Sequence, residues 1–234
     1  MYWPTDGKTL INMILLIDTS QEKGLVGLAR EGEVLQLEEN GVSKEHASWL
    51  HQALGRILAA AGLSIREIQA VAVVAGPGSY TGLRVGMAAA KGFCYAIKIP
   101  LITQNSLFLM ADSMKTVASE RGALLCPMID ARRDEVFTAL YEVTHRTVKE
   151  IMPPQAKILD KNSFERELFE NPIVFSGSGA EKWEKITNST RAIFFPQNSI
   201  IQSFARLAEE DYLAKKWVDP VYAAPVYLKE FFSY

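Results

Sequence analysis

Histidine and cysteine are scarce in this chain, with three of the first and two of the second in 234 residues. Metal centres and disulfide frameworks draw on both, so the scarcity narrows the available chemistry. Cys94 and Cys126 sit among apolar residues (Gly-Phe-Cys-Tyr-Ala and Leu-Leu-Cys-Pro-Met), where a buried free thiol is expected and a bridge is not. His46 and His51 are five positions apart, about 140° around a helix, and cannot share an ion locally. No run of 18 apolar residues exists, and the start of the chain shows no basic-then-apolar pattern. Neither a membrane span nor a signal peptide is therefore expected. Positive charge is not in excess either: 25 Lys and Arg stand against 27 Asp and Glu, a net charge of −2. A protein that grips RNA alone carries a basic patch, because phosphate contacts supply most of the affinity. The densest basic cluster is Arg132-Arg133, followed at once by Asp134-Glu135. These absences argue against a stapled secreted module, a membrane protein and an autonomous RNA binder, and they fit a reducing cytoplasm.

What is present reads as alternating strands and helices. With 48% hydrophobic and 22% charged residues, a chain of this length buries roughly 70% of its unfolded surface and needs no staple. Residues 1–12 are set aside as an upstream start, tag remnant or disordered leader. Met13–Thr19 is an apolar run ending in Asp18-Thr19-Ser20, and Gly24–Arg30 and Glu33–Glu39 follow as alternating strands around a Gly32 turn. Ser43 is an N-cap for a helix with Ala47, Leu50, Leu54, Ile57, Leu58 and Ala61 on one face, stopped by Gly62. Ser64 and Glu67 form a capping box. Val71–Ala75 is wholly apolar, as in a strand covered on both faces. It enters Gly76-Pro77-Gly78-Ser79-Tyr80-Thr81-Gly82, then a small-residue helix over Leu83–Ile97, a strand at Leu101–Thr103 and a helix over Ser106–Ala118.

The pattern then repeats. Ile17-Asp18 returns as Ile129-Asp130, and setting Asp18 on Asp130 brings Leu28 onto Leu140 without a gap. Val73–Gly78 is echoed by Ile173–Gly179. A duplicated β-β-β-α-β-α unit whose first strand ends in Asp marks an α/β protein of the actin-like and sugar-kinase-like class (ASKHA, RNase-H-like). The expected lobes are 13–118 and a smaller 119–199, with a tail over 200–234 whose helix at Ile200–Lys216 packs back on the first lobe. No linker separates the copies, so one rigid body with a cleft is expected.

The segment Val71–Leu107, VAVVAGPGSYTGLRVGMAAAKGFCYAIKIPLITQNSL, resembles the GPGSFTGLRxG pattern of the TsaB/YeaZ family, with Tyr80 in place of the usual Phe. Ile17–Ser20, the Ser43–His46 helix start, Ile129–Arg132 and Tyr227-Leu228-Lys229 carry the resemblance over about 13–229, with Asp134 where an apolar residue is common. It implies a non-catalytic partner of the paralogue TsaD. Together with TsaE, an ATPase, these proteins place threonylcarbamoyl on N6 of the adenosine beside the anticodon. The resemblance extends to the M22 peptidases, which makes an actin-like ATP-using enzyme or an M22-type metallopeptidase-like protein the alternative.

The paralogue's metal-binding His-x-x-x-His falls here on Ser106 and Met110, and neither suits a divalent cation. No bound metal is expected. The Gly76–Gly82 loop lacks the Lys-Ser/Thr of a phosphate-binding P-loop and reads as a tight turn with Ser79 and Thr81 as helix caps. The expected partner face combines His46, Trp49 and Gln52 with Gly76, Pro77, Gly78, Ser79, Tyr80, Thr81, Gly82, Leu83, Arg84, Gly86, Ala89 and Ala90. Its partners would be a TsaD-like subunit or a second copy of the chain, with a TsaE-like ATPase joining and tRNA met only through the complex. A weaker candidate is a nucleotide cleft for ATP or ADP at Asp18, Thr19, Ser20, Asp130, Arg132, Gly177 and Gly179, with the partner interface an equally open place for the nucleotide. A nuclease would need a carboxylate where Ala75-Gly76-Pro77 stands.

Overall fold

The computed structural model describes residues 12–40 and 46–229. The N-cap expected at Ser43, nearly all of the leader and the side chain of His46 lie outside the described residues. In chain order the elements begin with β1 (Met13–Asp18), β2 (Leu25–Arg30), β3 (Glu33–Glu39), α1 (His46–Ala61), β4 (Ala70–Gly76), α2 (Tyr80–Ile97) and β5 (Leu101–Asn105). There follow α3 (Ser106–Ser113), α4 (Lys115–Arg121), β6 (Leu124–Asp130), β7 (Glu135–Thr144), β8 (Thr147–Ile158), α5 (Glu165–Glu170), β9 (Ile173–Ser176), α6 (Ala180–Glu184), β10 (Ala192–Phe194) and α7 (Ile201–Leu213). A 3₁₀ turn at Ile65–Glu67 precedes β4 behind the expected capping box of Ser64 and Glu67, in which the Ser64 N–H donates to Glu67 Oε2 at 2.8 Å.

Two compact units result, Met1–Asn105 with Ile201–Val226, and Ser106–Ile200 with Tyr227–Tyr234. Each holds one five-stranded mixed sheet. The orders are β3-β2-β1-β4-β5 and β10-β9-β6-β7-β8, the same topology written from opposite edges. In each, an antiparallel hairpin brings three strands together, and the fourth and fifth add in parallel after helical crossovers. β1 and β4 are buried at every residue, because helices cover both faces. Leu15, Ile17, Val71 and Val73 pack with Leu50, Ile57, Met87 and Cys94 from α1 and α2. Cys126, Met128 and Phe175 pack likewise with Leu168 and Trp183 from α5 and α6.

Two features differ from the sequence reading. First, α3 and α4 belong to the second unit, although the repeat placed the boundary after 118. Six of the eight residues of α3 are buried, four of them the apolar Leu107, Leu109, Met110 and Ala111, and the helix packs on β6, β7 and β8. Second, the repeat slips by one residue at its aspartates. β1 aims Met13, Leu15 and Ile17 at its helices, whereas β6 aims Leu124, Cys126 and Met128. Side chains alternate with period two, so Asp18 is out of phase with the first core and Asp130 in phase with the second. Thr19, not Asp18, shares the phase of Asp130, while Leu28 and Leu140 keep theirs.

Among the described residues, no helix is long and apolar enough to cross a membrane. Both cysteines are free and buried, and burial pushes each thiol up to about 12. At pH 8 the folded chain should therefore leave both unmodified by a thiol reagent over minutes, and denaturant should release two reactive thiols. Rapid labelling of the native protein would contradict this packing.

Candidate functional site

The glycine-rich loop between β4 and α2 closes on the end of β1. Ser79 N–H donates to the Ser20 carbonyl at 2.7 Å, and the Thr19 hydroxyl donates to the Gly82 carbonyl at 2.7 Å. Ser79 caps α2 by accepting the Gly82 N–H at 3.3 Å. The glycines permit this approach. A Cβ at Gly78 would fall closer than 3.0 Å to the Ser20 carbonyl oxygen, one at Gly82 to that of Thr19, and one at Gly86 to the Thr19 hydroxyl. Gly76 has φ +124°, and its missing Cβ leaves room for the Val226 carbonyl, while Val226 N–H donates to the Ala75 carbonyl at 2.7 Å. As a result Asp18, Thr19 and Ser20 are 4%, 1% and 1% exposed. The Asp18 carboxylate accepts the Ser20 N–H at 2.8 Å.

The second unit holds the other candidate cleft residues. Ser178 accepts the Asp130 N–H, and Gly179 N–H donates to the Met128 carbonyl at 3.0 Å. The Asp130 carboxylate accepts the Arg132 N–H and the Lys182 ammonium, each at 2.6 Å. Lys182 also donates to the carbonyls of Arg133 and Glu135. Gly177, at φ +97°, leaves space that the Met110 side chain fills. Ser106 and Met110, where the paralogue's histidines would stand, are both fully buried. Among the described residues, no cluster of three or more His, Cys, Asp or Glu could hold a metal ion. Each aspartate is thus engaged by its own unit, the first by burial under a loop and the second by a lysine.

The expected partner face divides in two. Gly76, Pro77, Gly82, Leu83, Gly86 and Ala90 are buried inside the first unit and cannot meet a partner. Gly82, Leu83, Gly86 and Ala90 lie on the α2 face that packs on β1 and β4, because positions 82, 86 and 90 are spaced by one turn and share that face. Gly78, Trp49 and Ala89 are half-buried, the last two against the core. Ser79, Tyr80, Thr81, Arg84 and Gln52 are exposed, and Arg84 donates to the Tyr80 hydroxyl at 3.0 Å while lying over its ring.

The outward stripe of α2 is instead Ala88, Gly92, Tyr95 and Ala96, one helical phase away. The His51 ring sits edge-on to Phe93 at 6.0 Å, which places Gly55 of α1 one turn beyond the same seam. Gly55 and Gly92 are both exposed, and a Cβ at either would touch nothing within 4 Å. Each costs about 1 kcal/mol of helix stability relative to Ala, with no return inside its own unit. Ala88 and Gly92 fall in the small-residue helix read from the sequence, whereas Gly55, Tyr95 and Ala96 were missed, because exposure depends on helical phase and only the spacing of positions 88, 92 and 96 carried it.

Two units of identical strand order define a duplicated actin-like α/β protein. Residues 39–223 match the model of the family described as TsaD, tRNA N6-adenosine threonylcarbamoyltransferase. The chain belongs to this family, and within it to the TsaB/YeaZ branch. It is 27% identical over 221 residues to the tRNA threonylcarbamoyladenosine biosynthesis protein TsaB of Escherichia coli, covering 92% of this chain and 94% of that protein. The Haemophilus influenzae protein of the same name is 26% identical over 228 residues, 92% and 93% of the two chains. The Bacillus subtilis one is 30% identical over 146 residues, 62% of each. YeaZ from Pseudomonas aeruginosa shares the fold with a TM-score of 0.76 at 23% identity, over 93% of this chain and all of that one.

Proposed function

We propose that this chain is a non-catalytic association subunit in the synthesis of threonylcarbamoyladenosine on tRNA, which binds and activates a TsaD-like catalytic subunit. The observation that carries the reading is the pair of mid-helix glycines, Gly55 and Gly92, exposed on adjoining helices with open space where a Cβ would stand. Glycine on an open helix face lets a second backbone come close, and the apolar neighbours Ala88, Tyr95 and Ala96 supply area to bury. The engaged aspartates support the same reading, since a phosphate or a metal would have to displace bonds the chain makes to itself. ATP or ADP then belongs to the assembled complex rather than to this chain's own carboxylates. A TsaE-like ATPase would join the complex in the cytoplasm, tRNA would be met through it, and without the partner two copies would pair through the same face.

Co-expression with a tagged TsaD-like subunit should yield a one-to-one assembly by mass measurement, and the chain alone should scatter light as a dimer. A strict monomer that the catalytic subunit fails to capture would refute the proposal. So would stoichiometric zinc or iron in the isolated chain.

A further inference from the structure

We infer that the turn between β6 and β7 is a contact for the phosphate backbone of RNA, made by the guanidinium groups of Arg132 and Arg133. The inference rests on the proposed membership of a tRNA-modifying assembly and adds a substrate-contacting element to it. Arg132 and Arg133 have φ of +69° and +51°, two successive left-handed residues that carry full side chains. Glycine would hold this backbone with less strain. The turn is braced on all sides. Ala131 N–H donates to the Glu135 carbonyl, Glu135 N–H to the Arg132 carbonyl and Leu159 N–H to the Asp134 carbonyl. Lys182 holds Asp130 and two carbonyls of the turn.

The charges around the tip are sorted in a way that leaves the arginines over. Lys182 neutralises Asp130 and Lys229 neutralises Glu135. Arg132 and Arg133 are exposed, and neither side chain has an ion pair or hydrogen bond among the described residues. The turn therefore presents two guanidinium groups on a braced backbone, with no ion pair among the described residues and with exposed Asp134 beside them. The tip follows the carboxyl end of β6, which runs parallel to β9, the end of an open α/β sheet at which ligands gather. A protein partner would want apolar area to bury, because interface cores are depleted in charge and rich in aromatics. Arg132 to Asp134 offer none. Phosphates need no such burial, and guanidinium groups meet them in bidentate fashion.

The test uses the complex reconstituted with the catalytic subunit and an unmodified tRNA transcript, titrated from 0.05 to 0.5 M salt without nucleotide. Arg132→Gly with Arg133→Gly relieves the backbone, so the melting temperature should hold or rise. Binding at 0.1 M salt should weaken at least tenfold, and the slope of log affinity against log salt should fall by about 1.4–1.8, the value for two phosphate contacts. Asp134→Asn should tighten binding. Unchanged affinity and slope in the stable double variant would overturn the inference. So would loss of partner capture by that variant, which would make the tip a protein contact, or a defect seen only when ATP is added, which would make it a nucleotide contact. If the unaltered chain fails to capture the catalytic subunit at all, the proposed function falls and this inference with it.

Discussion

Replacing Gly82 with alanine should lower the melting temperature of the chain by about 6–12 °C, from about 3 kcal/mol of overpacking at 2–4 °C per kcal/mol. The added Cβ meets the carbonyl oxygen of Thr19, a backbone atom at the buried end of β1. Backbone pinned just past the end of a central strand cannot move aside as a flexible side chain can, so the loop would lift from the end of β1. The Thr19 hydroxyl would then lose the Gly82 carbonyl, and Ser20 the Ser79 N–H. Gly92→Ala is the control on the same helix. Its Cβ enters open space, and it should raise the melting temperature by about 2–4 °C through about 1 kcal/mol of helix propensity. Thermal scans of the two variants check this. Equal melting temperatures for Gly82→Ala and the unaltered chain would show that the loop does not close on β1.

This contrast between two glycines ten residues apart shows where sequence reasoning reached and where it stopped. The apolar run at Val71–Ala75 was legible as a doubly covered strand because composition alone reports burial on both faces. The Glu33–Glu39 strand was legible from alternation, and the single turn after Ser64 from its capping partner. The duplicated unit was legible from the return of Ile17-Asp18 at Ile129-Asp130. What could not be read was phase. Ile17-Asp18 and Ile129-Asp130 look alike, but which face each aspartate takes depends on which side the helices pack, and a slip of one residue reverses it. The hold of Lys182 on Asp130 spans 52 positions, and nothing local announces it. The membership of α3 was hidden for a related reason. Its apolar run Leu107–Ala111 must be buried somewhere, and its own sequence does not say against which sheet.

The same limit governed the candidate site. Gly86 and Ala90 looked like one small-residue surface with Ala89, yet the first two are buried on the core face of α2. Asp18 looked available for a ligand at the end of a strand, yet it is 4% exposed and bonded to Ser20 N–H. Asp18→Ala should consequently act as a stability variant. Loss of that hydrogen bond is worth about 1 kcal/mol or more where the N–H is left buried, and activity should recover as the temperature is lowered.

Gly92→Arg should abolish assembly with the catalytic subunit while leaving the chain folded. Gly92 is exposed with open space around its missing Cβ, and arginine is a far better helix former than glycine, so melting should not fall. In a close helix contact the same side chain brings bulk and an unpaired charge. Burying such a charge costs several kcal/mol, so the dissociation constant should rise by about a hundredfold or more. Ala88→Arg, one turn earlier on the same stripe, should behave alike, and self-association of the isolated chain should be lost in both. Ala90→Arg is the counterpart on the buried face. It should unfold the chain instead, because Ala90 is 0% exposed. Adding the catalytic subunit in excess should partly restore activity to Gly92→Arg, since mass action can offset weak binding, but it should do far less for Ala90→Arg. Pull-down, light scattering and melting curves on the three variants separate an interface from a core. Full assembly by Gly92→Arg and Ala88→Arg would remove this face from the partner site and with it the observation on which the proposed function stands.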